Sequence, residues 1–173
     1  MLRGLIIVAL ALFPCFTGRR AAAQEAIGAV SRIQGTASGT RGTATQALGS
    51  NTSVFRNEVL STGDGTRLEI TFKDNTRLTL SEKAKMTLDT YIFNPPAGLG
   101  TIKFEAAGAF RFLSGRLSKL ARSNVSMITP VANIGIRDTE FWAGPIDDQA
   151  PGVFLIDGAV AVSNAAGAQI LNQ

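Results

Sequence analysis

The chain has 173 residues, 45% of them hydrophobic, with 17 Lys or Arg against 13 Asp or Glu, a net charge of +4, one Cys and no His. These counts exclude histidine-based catalysis, zinc fingers and disulfide scaffolds, and no apolar run approaches the ~20 residues of a membrane-spanning helix. The positive balance points to nucleic acid or an anionic membrane only if the whole chain persists as one object.

In chain order, the first element predicted is an export signal over residues 1–23. Arg3 gives a positive start, residues 4–16 are apolar, Pro14 and Gly18 break the stretch, and Ala21-Ala22-Ala23 offers small residues for cleavage before Gln24. The shortness of the stretch, with Arg19 and Arg20 beyond it, disfavours an uncleaved anchor. Phe13 and Pro14 before Cys15 disfavour lipid attachment, and an arginine pair that follows the stretch is no twin-arginine signal. Losing residues 1–23 removes Arg3, Arg19, Arg20 and Cys15, which leaves 14 basic against 13 acidic side chains. The expected product, residues 24–173, is one near-neutral domain in the periplasm or secreted, with no stable membrane span. Its charge argues against nucleic acid as a partner.

Along residues 24–173 apolar and polar side chains alternate with period two, the mark of half-buried strands. Strands are predicted at 26–33, 67–73, 76–80, 86–93, 101–105, 109–113, 125–129, 134–137, 153–157 and 159–163. In the clearest case Leu68, Ile70 and Phe72 share a face, Asp74-Asn75 makes a two-residue turn, and Leu78 and Leu80 return on the same side. Residues 35–53, rich in Gly, Thr and Ser, are expected to form an exposed excursion; Asp157-Gly158 reads as a turn and 116–122 as a turn or two of helix. The fold class expected is all-β: a single domain of many short antiparallel strands, closed as a sandwich, a roll or an irregular solenoid-like stack.

Chemistry is sparse, and no catalytic, cofactor-binding or metal-ligating residue is assigned. Asp147-Asp148 reads as a solvated loop tip and Gly63-Asp64-Gly65 as a hairpin turn, neither with the regular oxygen spacing of a calcium loop. A glycosidase needs two carboxylates across a cleft; Glu105, Asp138, Glu140 and Asp157 are available, with Glu140 and Asp157 the pair to consider. Arg111, Arg116, Lys119 and Arg122, interleaved with Phe110, Phe112, Leu117 and Leu120, form one dense basic stretch. It reads as a solvated outer face or as a docking patch for an acidic partner or an anionic envelope component. Trp142 and Tyr91 are candidates for stacking on sugars, with one member of Phe141-Trp142 expected in the core.

Residues 125–141, Val-Ser-Met-Ile-Thr-Pro-Val-Ala-Asn-Ile-Gly-Ile-Arg-Asp-Thr-Glu-Phe, resemble the signature of FecR-like domains, T-P-x-A-x-x-G-x-R-G-T-x-F. The positions concerned are Thr129, Pro130, Ala132, Ile134, Gly135, Ile136, Arg137, Asp138, Thr139 and Phe141. Segments 57–62, 65–72, 74–80, 109–115 and 157–164 follow the family's succession of short strands, so the resemblance spans roughly residues 26–168. Asp138 stands where the family usually has Gly; if that Gly serves a positive φ, Asp is among the few residues able to replace it. The resemblance implies kinship with a regulator of iron-citrate uptake that spans the inner membrane, receives a signal from an outer-membrane transporter and controls a sigma factor. This chain is expected to be the exported module alone, and the family has no agreed ligand residues to carry over. The function expected is non-catalytic binding or sensing in the periplasm or cell envelope, toward a protein or an envelope polysaccharide and without a cofactor. The alternatives are a carbohydrate-active enzyme using paired carboxylates and a structural envelope protein associating through its sheet edges.

Overall fold

The computed structural model describes residues 24–146 and 151–172. The export signal predicted over 1–23 and the Asp147-Asp148 pair lie outside the described residues. The alternating segments all become strands. They are β1 (Ala26–Gln34), β2 (Ala37–Arg41), β3 (Ala44–Ala47), β4 (Ser53–Phe55), β5 (Val59–Thr62), β6 (Arg67–Phe72), β7 (Arg77–Leu80), β8 (Lys85–Asn94), β9 (Leu99–Ala107), β10 (Phe110–Leu113), β11 (Arg122–Ile128), β12 (Asn133–Pro145), β13 (Pro151–Asn164) and β14 (Gly167–Asn172), with 3-10 turns at Pro95–Ala97 and Arg116–Lys119.

All of these strands join one sheet, in the order β3-β2-β5-β8-β9-β11-β12-β10-β7-β6-β1-β4, with β13 and β14 added along β12. The sheet curls into a half-barrel because β12 changes neighbours partway along its length. Its residues 133–136 pair with β11, and its residues 140–143 pair with β10. On its other edge β13 follows it throughout, from Asn133 opposite Ser163 to Pro145 opposite Pro151. Two wings thus diverge from β12, and their apolar faces meet. Phe72 of β6 lies 5.6 Å from the Tyr91 ring of β8 and 5.3 Å from the Phe104 ring of β9. Phe110 and Phe112 continue this core near the corner, each with its ring centroid 5.8 Å from that of Phe141. Each fully buried side chain of this size contributes about 1.5–3 kcal/mol.

The structure corrects four local expectations. The Asp74-Asn75 connection is a three-residue loop: the Asn75 N–H donates to the Phe72 carbonyl at 2.9 Å, and Asn75 takes φ +68°. A turn closed by a left-handed residue matches the twist of the flanking strands and swings Asp74 inward. Asp157-Gly158 is no turn but lies inside the continuous strand β13: Gly158, at φ +87°, stands opposite the bulge at residues 138–139 of β12, and the extra residue of β13 falls next to it at Ile156. Residues 35–53 form the hairpin β2–β3, with β2 paired to β5 and Ala37 and Leu48 buried. β3 is exposed throughout, and the polar composition suits the edge of a sheet. Finally, β9 and β11 run parallel, from Leu99 beside Arg122 to Glu105 beside Ile128, because β10 crosses to the other wing before the chain returns.

Candidate functional site

The residues of the 125–141 motif build the corner from which the wings diverge. The turn between β11 and β12 is closed by Thr129, whose backbone N–H donates to the Ala132 carbonyl at 2.9 Å while its Oγ1 accepts the Ala132 N–H at 3.1 Å. Pro130 sits exposed at the tip of that turn. Ile134 and Ile136 enter the core, then the alternation shifts phase and Thr139, Phe141 and Ala143 are the buried positions. Asp138 makes the shift possible by adopting φ +47°. Thr139 ties three strands together. Its N–H donates to Ser114 Oγ at 3.0 Å, its carbonyl accepts the Ser114 N–H at 2.9 Å, and its Oγ1 accepts the Ala159 N–H at 3.1 Å. Arg137 is exposed, and nothing within close reach of Gly135 requires a glycine there.

A second polar anchor is invisible in the sequence. Asp74 is fully buried, and its carboxylate accepts the Tyr91 hydroxyl at 2.9 Å, the Thr76 hydroxyl at 2.6 Å and the Leu117 N–H at 3.2 Å. The Asp74 N–H in turn donates to the Tyr91 oxygen at 3.0 Å, and its carbonyl accepts the Arg116 N–H at 2.7 Å. One carboxylate therefore fixes the β6–β7 loop, strand β8 and the Arg116–Lys119 turn. Burial, and then the Asp74 charge, hold the Tyr91 phenol well above its usual range. Tyr91 is thereby committed to the interior and is not available to a sugar. Apart from Thr76, two residues away, the partners of the Asp74 carboxylate lie 17 and 43 residues along the chain, so no local pattern could reveal its burial.

The basic stretch is four separately engaged cations. Arg111 pairs with Glu140. Arg116 donates to the Lys73 carbonyl at 3.2 Å and lies 5.4 Å over the Phe93 ring. Lys119 stands 3.7 Å from Asp138, and Arg122 donates to the Ala97 carbonyl at 2.8 Å. Arg116 and Lys119, three apart on a 3-10 turn, share one side of it. Of the acids considered for catalysis, Glu140 and Asp157 are directly opposite on β12 and β13, side by side on a sheet and not across a cleft. Phe141 is the core member of the Phe141-Trp142 pair, and Trp142 is the outward one.

An apolar cavity of about 640 Å³ opens beside the corner, lined by Phe110, Ile134, Ala143, Val153, Val162 and Leu171 together with the turn over residues 129–132. Its volume is that of a small-molecule or side-chain site. Among the described residues no carboxylate contributes to its lining.

These features describe an all-β scaffold whose most specific residues serve a corner of the sheet. A model of the FecR protein family matches residues 58–161, more than half of the chain, and the chain belongs to that family. Two crystal structures of a candidate anti-sigma factor from Parabacteroides distasonis ATCC 8503, at 2.50 and 1.65 Å resolution, are similar to it in fold. Each has a TM-score of 0.55 and 18% identity, over 66% of this chain and 50% of that one. The chain spans half the length of the structures it matches. No curated protein matches it.

Proposed function

We propose that the chain is a non-catalytic FecR-domain protein, exported to the periplasm or cell envelope, that works by binding as a sensing module. The observation that carries this reading is the family match over residues 58–161, in which the signature residues hold the fold and present no reactive constellation. A protein partner in signalling is supported by the anti-sigma factor description of the structural neighbour, and an envelope polysaccharide is the second class of partner. The pairing of Glu140 with Arg111, and its position beside Asp157, weigh against an acid pair working across a cleft.

Fractionation of cells expressing the tagged chain tests export. The expected product lies outside the cytoplasm with Gln24 as its first residue, and an uncut cytoplasmic product overturns that part of the reading. Affinity capture from an envelope extract tests binding, with Arg116→Glu and Lys119→Glu combined in a parallel sample. Capture of a specific partner by the parent supports the module, and its loss in the variant assigns docking to the basic turn. Turnover of an envelope glycan by the purified protein would overturn the non-catalytic reading.

A further inference from the structure

The outer face of the β6-β7-β10-β12-β13 wing carries an in-register row of side chains directed away from the core. Glu69 stands opposite Thr79, Thr79 opposite Arg111, Arg111 opposite Trp142 and Trp142 opposite Phe154. Beside this row a cleft of about 390 Å³ is lined by Arg67, Thr79, Ser81, Arg111, Trp142 and Ile156. The Trp142 and Phe154 rings lie 5.8 Å apart, and Phe154 and Ile156 remain 53% and 42% exposed. Gly144 gives the indole its place on the strand: a Cβ there would fall 2.9 Å from the Trp142 Cζ2 and 2.6 Å from the Ala109 Cβ. Large apolar groups left partly exposed on an otherwise polar sheet face, next to two guanidiniums and two hydroxyls, make an amphipathic surface of the kind that marks a binding site.

We propose that this cleft binds a neutral pyranose unit of an oligosaccharide, stacked on Trp142 and hydrogen-bonded by Arg111, Arg67, Thr79 and Ser81. The charge pattern selects the ligand. Arg67 is paired with Glu69 at 3.1 Å and Arg111 with Glu140, so the two cations at the cleft are matched by two carboxylates. A phosphate or uronate entering there meets guanidiniums whose charge is already balanced by those carboxylates. A neutral sugar needs no unbalanced charge: its hydroxyls both donate and accept, its apolar ring face fits an indole, and a guanidinium has five donors of which its ion pair occupies only part. Arg111, read from the sequence as part of a basic patch, acts here as a hydrogen-bond donor held in position by Glu140.

The proposal rests on the envelope reading only for where the glycan is met. Binding and export are read by separate experiments, so either can fail alone. Trp142 is the sole tryptophan of the chain, so its emission reports the site directly. The purified full chain is titrated with hexasaccharides of β-1,4-glucose, β-1,4-N-acetylglucosamine and α-1,4-glucose, with a polygalacturonate oligomer and inorganic phosphate in parallel. The expected result is a saturable emission change with at least one neutral hexasaccharide at a Kd of about 1 mM or tighter, weakened about tenfold or more in Arg111→Ala. If Arg111→Ala loses its cooperative melt, Thr79→Val supplies the same comparison. No saturable response to a neutral sugar, a response only to the anionic probes, or a response undiminished in the folded variant overturns the proposal.

Discussion

Asp74 is a charged residue at zero exposure, a position that its hydrogen bonds alone make tolerable. Replacing it with Ala leaves the Leu117 N–H and the Thr76 and Tyr91 hydroxyls without their acceptor. The expected cost is about 3 kcal/mol or more, checked by the denaturant midpoint. Tyr91→Phe removes one arm of the same network and is expected to cost about 1–2 kcal/mol. The Tyr91 phenol binds its proton more tightly in the fold than its ordinary value of 10.0 allows, through burial and then the Asp74 charge. The stability this confers is fully present below about pH 10 and is lost as the pH rises above it, since the unfolded chain ionises first. Midpoints measured upward from neutral pH should therefore fall more steeply above about pH 10 in the parent than in Tyr91→Phe. Asp138 presents the opposite case, a residue that can be improved. At φ +47° it occupies a conformation that Gly adopts without steric cost, and its ion pair with Lys119 at 3.7 Å is exposed at both ends. Such a pair contributes about 0–1 kcal/mol. Asp138→Gly should leave the melting temperature equal or higher, whereas Asp138→Val should cost about 1–3 kcal/mol. A fall of more than about 4 °C in the glycine variant would mean that the carboxylate makes a contact the fold needs.

At the level of the element, adjacent bulges at residues 138–139 of β12 and at Ile156 of β13 offset each other, so the two strands stay paired along their whole length. Gly158 is held at φ +87°, and a Cβ there would overlap the Asp138 carbonyl oxygen. Gly158→Ala should therefore cost about 2 kcal/mol or more, read as a lower melting temperature with the far-UV spectrum kept. The same bulges explain what the alternating pattern conveys and where it misleads. Within β6 and β7 the period-two reading places Leu68, Ile70, Phe72, Leu78 and Leu80 on the buried face, as found. In β12 the buried positions are Ile134 and Ile136 before the bulge but Phe141 and Ala143 after it, so a strand of 13 residues looks finished at Arg137. A bulge inserts one residue and reverses the phase, and in a single sequence that is indistinguishable from the end of a strand. For the same reason Asp157-Gly158, a pair typical of turns, is read as one although it lies inside a strand of 14 residues.

Across the whole molecule, Phe72 joins the wings by touching both Tyr91 and Phe104. Phe72→Ala should cost about 3–5 kcal/mol. Trp142 emission, which samples the corner, and the far-UV signal, which samples every strand, should then shift to the same new midpoint. Separate transitions would mean that the wings unfold independently. The period-two pattern alone established that the chain is built of strands and which side chains of β6 and β7 face inward, and the residue type at position 138 is one that tolerates a positive φ. Those properties are local, set by the pleat and by backbone sterics over a few residues. Only the tertiary structure decided that β9 lies parallel to β11, that β12 changes neighbours at Thr139, that Asp74 is buried beneath Tyr91, and that Arg111 belongs to a row with Trp142 and not to a patch with Arg116 and Lys119. Each of these depends on which distant segments close upon one another. Strand pairing is carried by backbone groups common to every residue, so the choice of neighbour is made by the packing of the whole core.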